Sequence, residues 1–290
     1  MKKKIRKAVF PVAGRGTRFL PATKVIPKEM LPVVDRPLID YAFEEAIDAG
    51  IETFIFVISQ EKSVIIDYFN KSTELETFLK NNGKKDIINT IRKSLPKSGS
   101  IMSVKQSEQL GLGHAVLCAE ELIGDEPFAV ILPDELLISD ISCLKSMVAS
   151  YFSTCGNLIA TMKVPINETN KYGILDIENI NNDLIKVKRM IEKPKVGQAP
   201  SCFANIGRYI LDPSIFSYLK QQEPSVEGEI QLTDAINAFE SSVPFYAKVF
   251  KGLRFDCGSK IGFLEANLAL ALERPDLSDK IRSSMLKFLE

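Results

Sequence analysis

One histidine in 290 residues, and no Cys-x-x-Cys pair, leave no basis for a zinc site or a dithiol redox motif. The five cysteines, Cys118, Cys143, Cys155, Cys202 and Cys257, are odd in number and scattered, which suits a reducing cytoplasm better than a disulfide framework. Net charge is lacking too. The 37 basic and 37 acidic residues cancel, so no whole-protein field favours nucleic acid or a membrane surface, and neither is expected as a partner. Any anion site must therefore be local. No apolar run approaches the roughly 18–20 residues of a membrane span. The basic start "MKKKIRKAVFPVAG" imitates a secretion signal, but its apolar run stops at Ala13 and meets "GRGTR", so a soluble, cytoplasmic chain is expected.

What is present is a core-sized supply of apolar residues, 45%, arranged as alternating strand and helix patterns. "KAVFPVA" (7–13), "ETFIFVIS" (52–59), "SIMSVKQ" (100–106), "PFAVILPDE" (127–135) and "GNLIATMKV" (156–164) predict strands. "YGILDIENINNDLIKVKRMIEKP" (172–194) predicts two strands around an Asn-Asn-Asp turn, "CFANIGRYILD" (202–212) another, and "FYAKVFKGLRFDCG" (245–258) a late strand or pair. Helices are expected at 37–50, closed by Gly50, at 113–123, in "DPSIFSYLKQQ" and "GEIQLTDAINAFES", and at 261–273. This pattern predicts an α/β chain with a mixed, mostly parallel central sheet flanked by helices. With no repeat or linker, residues 1–290 are expected to form one domain, with a helical excursion at about 72–99 and a C-terminal helical segment at about 261–290.

The stretch "FPVAGRGTRFLPATKVIPKEMLP" (10–32) gathers two glycines, two arginines and two lysines where the first strand ends. Gly14 and Gly16 would let backbone N–H groups approach phosphate oxygens, although a bare G-x-G suits any tight turn equally. The Walker spacing is absent. The dinucleotide fingerprint fails as well, because position 19 is Phe and "VISQ" supplies no acidic residue for a ribose. Arg18 lies just beyond the turn, and Lys28 stands between Pro27 and Pro32 in a stiffened loop with little entropy to lose. Asp134 closes a strongly apolar strand, the place where open α/β sheets deliver ligand-binding groups.

Taken together, "GRGTRFLPATKVIPKEMLPVVDRPLIDY", "KQSEQLGLGHAV", "LPDE", "KYGILD", "IEKP", "GEIQLTDAI" and "FDCG" resemble, in order and spacing over nearly the whole chain, the sugar-nucleotide pyrophosphorylases. Among these the chain is most similar to the bacterial UTP–glucose-1-phosphate uridylyltransferases. The resemblance implies a Rossmann-like nucleotidyltransferase fold, Mg²⁺ as cofactor, UTP and glucose 1-phosphate as substrates, and a homodimer or homotetramer. It also implies roles. Ala13, Gly14 and Gly16 would form the loop around the triphosphate, with Arg18 beside it and Lys28 near the α-phosphate. Gln106 and Gly111 would read the pyrimidine edge, and Asp134 and Asp256 would hold the metal. Gly173 and Glu192 would hold sugar hydroxyls, and Lys193 the sugar phosphate. Glu227, Glu229 and Asp234 would lie near the sugar, though Glu229 and Asp234 equally suit a helix start. Two positions depart from the family pattern, Arg15 where Leu is common and Glu135 after Asp134, and neither removes a required group.

The reaction so implied joins a sugar phosphate oxygen, already ionised, to the α-phosphorus of UTP while pyrophosphate departs. It needs no general base, so the single histidine, His114, is expected to be structural or a minor contact. Alternatives are a glucose-1-phosphate thymidylyltransferase, since thymine shares the edge Gln106 would read, a non-catalytic regulatory paralogue, and a simple nucleotide-binding module.

Overall fold

A computed structural model describes residues 3–59, 62–93, 95–97, 99–154, 156–225, 228–239 and 243–289. Cys155 and Glu227, both singled out above, lie outside the described residues. The strand β1 (Lys7–Pro11) leads through three short 3₁₀ turns to the small hairpin β2 (Pro32–Val33) and β3 (Arg36–Pro37), then to α1 (Leu38–Asp48) and β4 (Thr53–Ile58). Next come α2 (Ser63–Tyr68), α3 (Thr73–Asn81), α4 (Lys85–Lys93), β5 (Ile101–Lys105), α5 (Gly111–Leu117), α6 (Glu120–Ile123), β6 (Phe128–Ile131), β7 (Glu135–Ile138) and α7 (Cys143–Tyr151). The chain continues with β8 (Asn157–Lys163), β9 (Gly173–Asn181), β10 (Leu184–Glu192), β11 (Phe203–Leu211), α8 (Ile215–Gln221), α9 (Leu232–Phe239), β12 (Phe245–Val249), β13 (Leu253–Asp256), α10 (Lys260–Glu273) and α11 (Ser278–Leu289).

Nine strands form one sheet in the order β5-β4-β1-β6-β11-β8-β12-β10-β9. β5, β4, β1 and β6 are parallel neighbours, as are β8 and β12. The β6–β11, β11–β8, β12–β10 and β10–β9 pairings are antiparallel. The parallel character expected from strand–helix alternation thus describes the N-terminal half, and beyond β6 the sheet is mixed. One of these antiparallel pairings is fixed locally. Asn182 (φ 57) turns β9 directly into β10, and a hairpin can only be antiparallel.

Two apolar clusters cover the faces of the sheet, one beneath α5, α8 and α9, including Val9, Val130 and Tyr209, the other beneath α1 and α7, including Phe10, Phe43 and Phe56. Strands buried on both faces read as continuous apolar runs, which is why "AVF", "FIFVI" and "FAVI" are legible in the sequence. The helices α3 and α4 lie between β4 and β5. Among the described residues no helix is long and apolar enough to cross a membrane.

Several boundaries differ from the sequence reading, and the helix expected over 113–123 is divided into α5 and α6. The strand expected over 127–135 stops at Ile131, because Pro133 cannot donate to a ladder, and the carboxylates sit in a turn leading to β7. β7 pairs with β13 in a separate ribbon, so the late strand pair is divided between two sheets. The helix expected to start near Gly228 starts at Leu232, because the Ile230 backbone is engaged elsewhere: its N–H donates to Leu110 O at 2.7 Å and its carbonyl accepts from Gly113 N at 2.8 Å. The carboxyl ends of β1, β4, β5 and β6 all open on one edge, with β4 and β6 on opposite sides of β1, the arrangement that creates a crevice in an open α/β sheet.

Candidate active site

The crevice holds a cavity of about 890 Å³ whose wall includes Ala13, Gly14, Arg15, Lys62, Gln106 and Gln109. The glycine turn borders it, with Gly14, Arg15 and Thr17 on the wall. Gly16 has φ +63, and a Cβ there would lie 3.2 Å from the Lys28 Cβ and 3.3 Å from Thr23, so the turn packs directly on the stem of Lys28. Around Gly14 a Cβ would meet nothing within 4 Å; the backbone faces open space there, as an anion cradle requires. Gln109 Nε2 donates to Ala13 O at 3.1 Å and ties this loop to the one after β5.

The second loop runs from Gln106, just after β5, to Gly111, the first residue of α5. Gln106 is 6% exposed, and its Nε2 donates to Gly111 O at 3.1 Å. Gly111 has φ +88, and a Cβ on it would lie 2.9 Å from the Glu229 Cβ and 3.1 Å from Ile230 O, so no other residue fits without displacing that segment.

Lys28 and Asp134 meet across the crevice, Nζ to Oδ2 at 2.5 Å, both half-buried. Burial works against the charge on each, and the attraction between them outweighs it: the Lys28 ammonium is held above its usual range and the Asp134 carboxyl below its own. Asp256 arrives on the β7–β13 ribbon opposite Glu135, and Cys257 N donates to Asp134 O at 2.7 Å. A Cβ at Gly258 would sit 3.0 Å from Asp256 Oδ1, 3.1 Å from Asp134 Oδ2 and 3.4 Å from Arg18 Nη1. Two carboxylates and a guanidinium therefore converge on one point, 122 residues of chain separating the aspartates in sequence. Among the described residues no three ligating side chains cluster as a closed metal cage. A pair of hard carboxylate oxygens fits Mg²⁺, which is commonly held by one or two carboxylates with substrate phosphates and water completing the shell.

The remaining candidates form a third group. Gly173 and Glu192 face one another in the β9–β10 ladder, and a Cβ at Gly173 would lie 3.0 Å from Glu192 Oε2. That oxygen also accepts from Thr233 Oγ1 at 3.2 Å. Lys193 is exposed, with φ 41, its N–H donating to Tyr172 O at 3.0 Å and its ammonium 3.7 Å from Glu192 Oε1. Glu229 accepts from Gln231 at 2.8 Å, and Asp234 is exposed in the first turn of α9.

The nucleotidyl transferase family model matches residues 7–273. The chain belongs to that family. A UTP–glucose-1-phosphate uridylyltransferase of Bacillus subtilis is 44% identical over 279 residues, 96% of this chain and 95% of that one. A UTP-bound UGPase from Acinetobacter baumannii superposes with a TM-score of 0.90 at 42% identity, covering 97% of this chain and 99% of that one. A UDP-glucose pyrophosphorylase complexed with UDP-glucose gives 0.82 at 44% identity, covering 93% and 100%.

In this nucleotidyl transferase three buried ion pairs that sequence reasoning missed hold the candidate groups in place. Arg208, on β11, is 1% exposed; its Nη1 donates to Leu132 O at 2.9 Å and its Nη2 to Glu135 O at 2.7 Å, gripping both sides of the Asp134 turn. Glu45 Oε2 neutralises it at 2.9 Å from α1, while Glu45 Oε1 accepts from Leu144 N at 2.9 Å. Glu135 forms a two-pronged pair with Arg254, each contact 2.7 Å, which staples the β7–β13 ribbon and accounts for the departure at position 135. Arg254 also stacks on the Tyr172 ring, 4.8 Å from its centroid, linking the ribbon to the Gly173 group. Lys62 Nζ donates to Val12 O at 2.7 Å and to Glu29 Oε2 at 2.8 Å, joining the glycine turn to the residue after Lys28. The signal for the Arg208 pair was a charge inside the apolar run "NIGRYIL", because a charge survives there only with a partner; the other two pairs lie in mixed stretches that carry no such signal.

Arg208→Met is expected to lower unfolding free energy by about 3–5 kcal/mol, since Glu45 is left charged and unpaired, and adding Glu45→Leu is expected to recover part of that loss. Urea unfolding of the single and double variants checks both. Lys62→Met should likewise destabilise by about 3–5 kcal/mol, read by the same titration.

Proposed function

We propose that this protein makes UDP-glucose and pyrophosphate from UTP and α-D-glucose 1-phosphate. The observation that carries this reading is the convergence of Asp134, Asp256, Arg18 and, through Asp134, Lys28 beside a glycine turn, in a chain similar over nearly its whole length to uridylyltransferases. The Ala13–Gly16 loop wraps the triphosphate with backbone N–H groups. Gln106 and Gly111 meet the pyrimidine edge. Gly173, Glu192 and Lys193 take the sugar phosphate, with Thr233 orienting the Glu192 carboxylate. Asp134 and Asp256 would hold Mg²⁺, which when bound would supply positive charge to offset the repulsion of the phosphates.

The chemistry asks little of proton transfer, because the attacking phosphate oxygen is already ionised. The barrier is repulsion between a sugar phosphate and a triphosphate, and preorganised charge offsets it. Lys28 suits that task because Asp134 keeps its ammonium protonated. Arg18 is fixed by donating to Gly258 O at 3.2 Å, so it keeps its aim when substrate arrives. Alignment of the two phosphates then supplies much of the rate.

Rates with UTP and dTTP, each against a panel of sugar 1-phosphates, test the reading. UTP with glucose 1-phosphate is expected to be the fastest pair; faster turnover with dTTP would make the protein a thymidylyltransferase. A cytoplasmic location fits the four described cysteines, all free. A homodimer or homotetramer through the C-terminal helices fits the exposed Ile261, Leu264, Leu286 and Phe288. Sedimentation equilibrium would contradict it by returning a monomer.

A further inference from the structure

We infer that His114 is a positioning residue that locks the Gln106 carboxamide with its oxygen toward the nucleobase, and that this lock selects uracil over cytosine. The inference rests on the reading of Gln106 as the group that meets the base. Gln106 lies on the cavity wall, and its Nε2 has two neighbours, Gly111 O at 3.1 Å and His114 Nδ1 at 3.1 Å. A backbone carbonyl has no hydrogen to give, so the atom facing Gly111 O must be the amide nitrogen. The same nitrogen then presents its second hydrogen to His114, whose Nδ1 must accept. The ring proton is left on Nε2, which points at Cys118 Sγ 3.9 Å away, a weak acceptor one helical turn along α5.

The consequence is chemical. With both amide hydrogens committed, the carboxamide has only its oxygen to offer a base. Uracil presents N3–H, a donor, at the middle of its pairing edge; cytosine presents a bare N3, an acceptor. The oxygen therefore accepts from uracil and repels cytosine, while thymine, with the same N3–H, is not distinguished. To welcome cytosine the carboxamide would have to rotate by half a turn, placing its oxygen against Gly111 O. His114 raises the cost of that rotation, because a ring whose Nδ1 is an acceptor also offers no hydrogen to the oxygen. Gly113 fixes the ring's helix: a Cβ there would lie 2.6 Å from Ile230 O, so α5 sits against the 229–231 segment without slack.

Two measurements test the lock. His114 is the chain's one histidine, so a sample labelled with ¹⁵N-histidine gives a single imidazole, and its nitrogen shifts read the tautomer of the intact protein. The Nε2–H form is expected; the Nδ1–H form would overturn the inference. Second, the ratio of kcat/KM for UTP to that for CTP is compared in the wild type, His114→Phe and Gln106→Ala. His114→Phe keeps ring volume but removes the acceptor, and the ratio is expected to fall at least about tenfold, with turnover of UTP less affected. A merely structural role would lower both nucleotides together and leave the ratio unchanged. Loss of discrimination in Gln106→Ala with a wild-type ratio in His114→Phe would overturn the lock alone. A wild-type ratio in Gln106→Ala would remove Gln106 from the base site and overturn the inference with it. Should His114→Phe fail to fold, the tautomer of the wild type decides.

Discussion

Asp134→Asn is expected to abolish magnesium-dependent turnover, lowering kcat by about three orders of magnitude or more. The substitution keeps the shape of the side chain and deletes its charge, so two functions go at once. The carboxylate pair that converges near Gly258 is reduced to one member, and the Lys28 ammonium loses the partner that holds it in the crevice. The turn itself should survive, because its backbone is held from outside by Arg208 and by Cys257 N rather than by the Asp134 side chain. A thermal unfolding curve close to wild type, together with rates that no longer respond to added Mg²⁺, is the expected pair of results. Asp256→Asn should behave alike. Retained turnover with an unaltered magnesium requirement would place the metal elsewhere.

Lys28→Ala is expected to lower kcat by about two orders of magnitude or more, with KM for UTP changed much less. The split follows from what the ammonium does: its charge is most needed where negative charge accumulates between two phosphates, a condition met in the transition state rather than in the bound nucleotide. Folding should tolerate the change. Alanine keeps the Cβ that packs against the Gly16 turn, and the loop retains the Glu29–Lys62 pair beneath it. Steady-state rates with circular dichroism as a control check this, and near-normal kcat would remove Lys28 from the catalytic group.

Of the strands that build the crevice, β1, β4 and β6 were legible because they are buried on both faces, and an apolar run such as "AVIL" is visible at a glance. The glycine turn was legible because a residue without a side chain at a strand end carries a conformational message, and Gly16 indeed takes φ +63. Asp134 stood out as a carboxylate at the end of such a run, whereas Asp256 in "FDCG" gained meaning only from the resemblance. What the sequence could not display was partnership at a distance. Glu45 lies on the apolar side of α1 and Arg208 in the middle of β11, 163 residues apart, and nothing local says that they meet. The β7–β13 ribbon escaped for the same reason: four-residue strands paired across more than a hundred residues leave no periodic signal of their own. Gln106 could be placed at the end of a strand, but the direction of its carboxamide depends on Gly111 O and His114, which only the folded chain brings beside it.

The central claim is that this crevice lets two mutually repelling phosphates react. Quantifying pyrophosphate and UDP-glucose from purified protein, with UTP, glucose 1-phosphate and Mg²⁺ supplied together and then with each withheld in turn, tests it most directly. The account predicts one pyrophosphate per UDP-glucose and neither product when any of the three is missing. UTP bound to folded protein with no pyrophosphate formed in the complete mixture would contradict it.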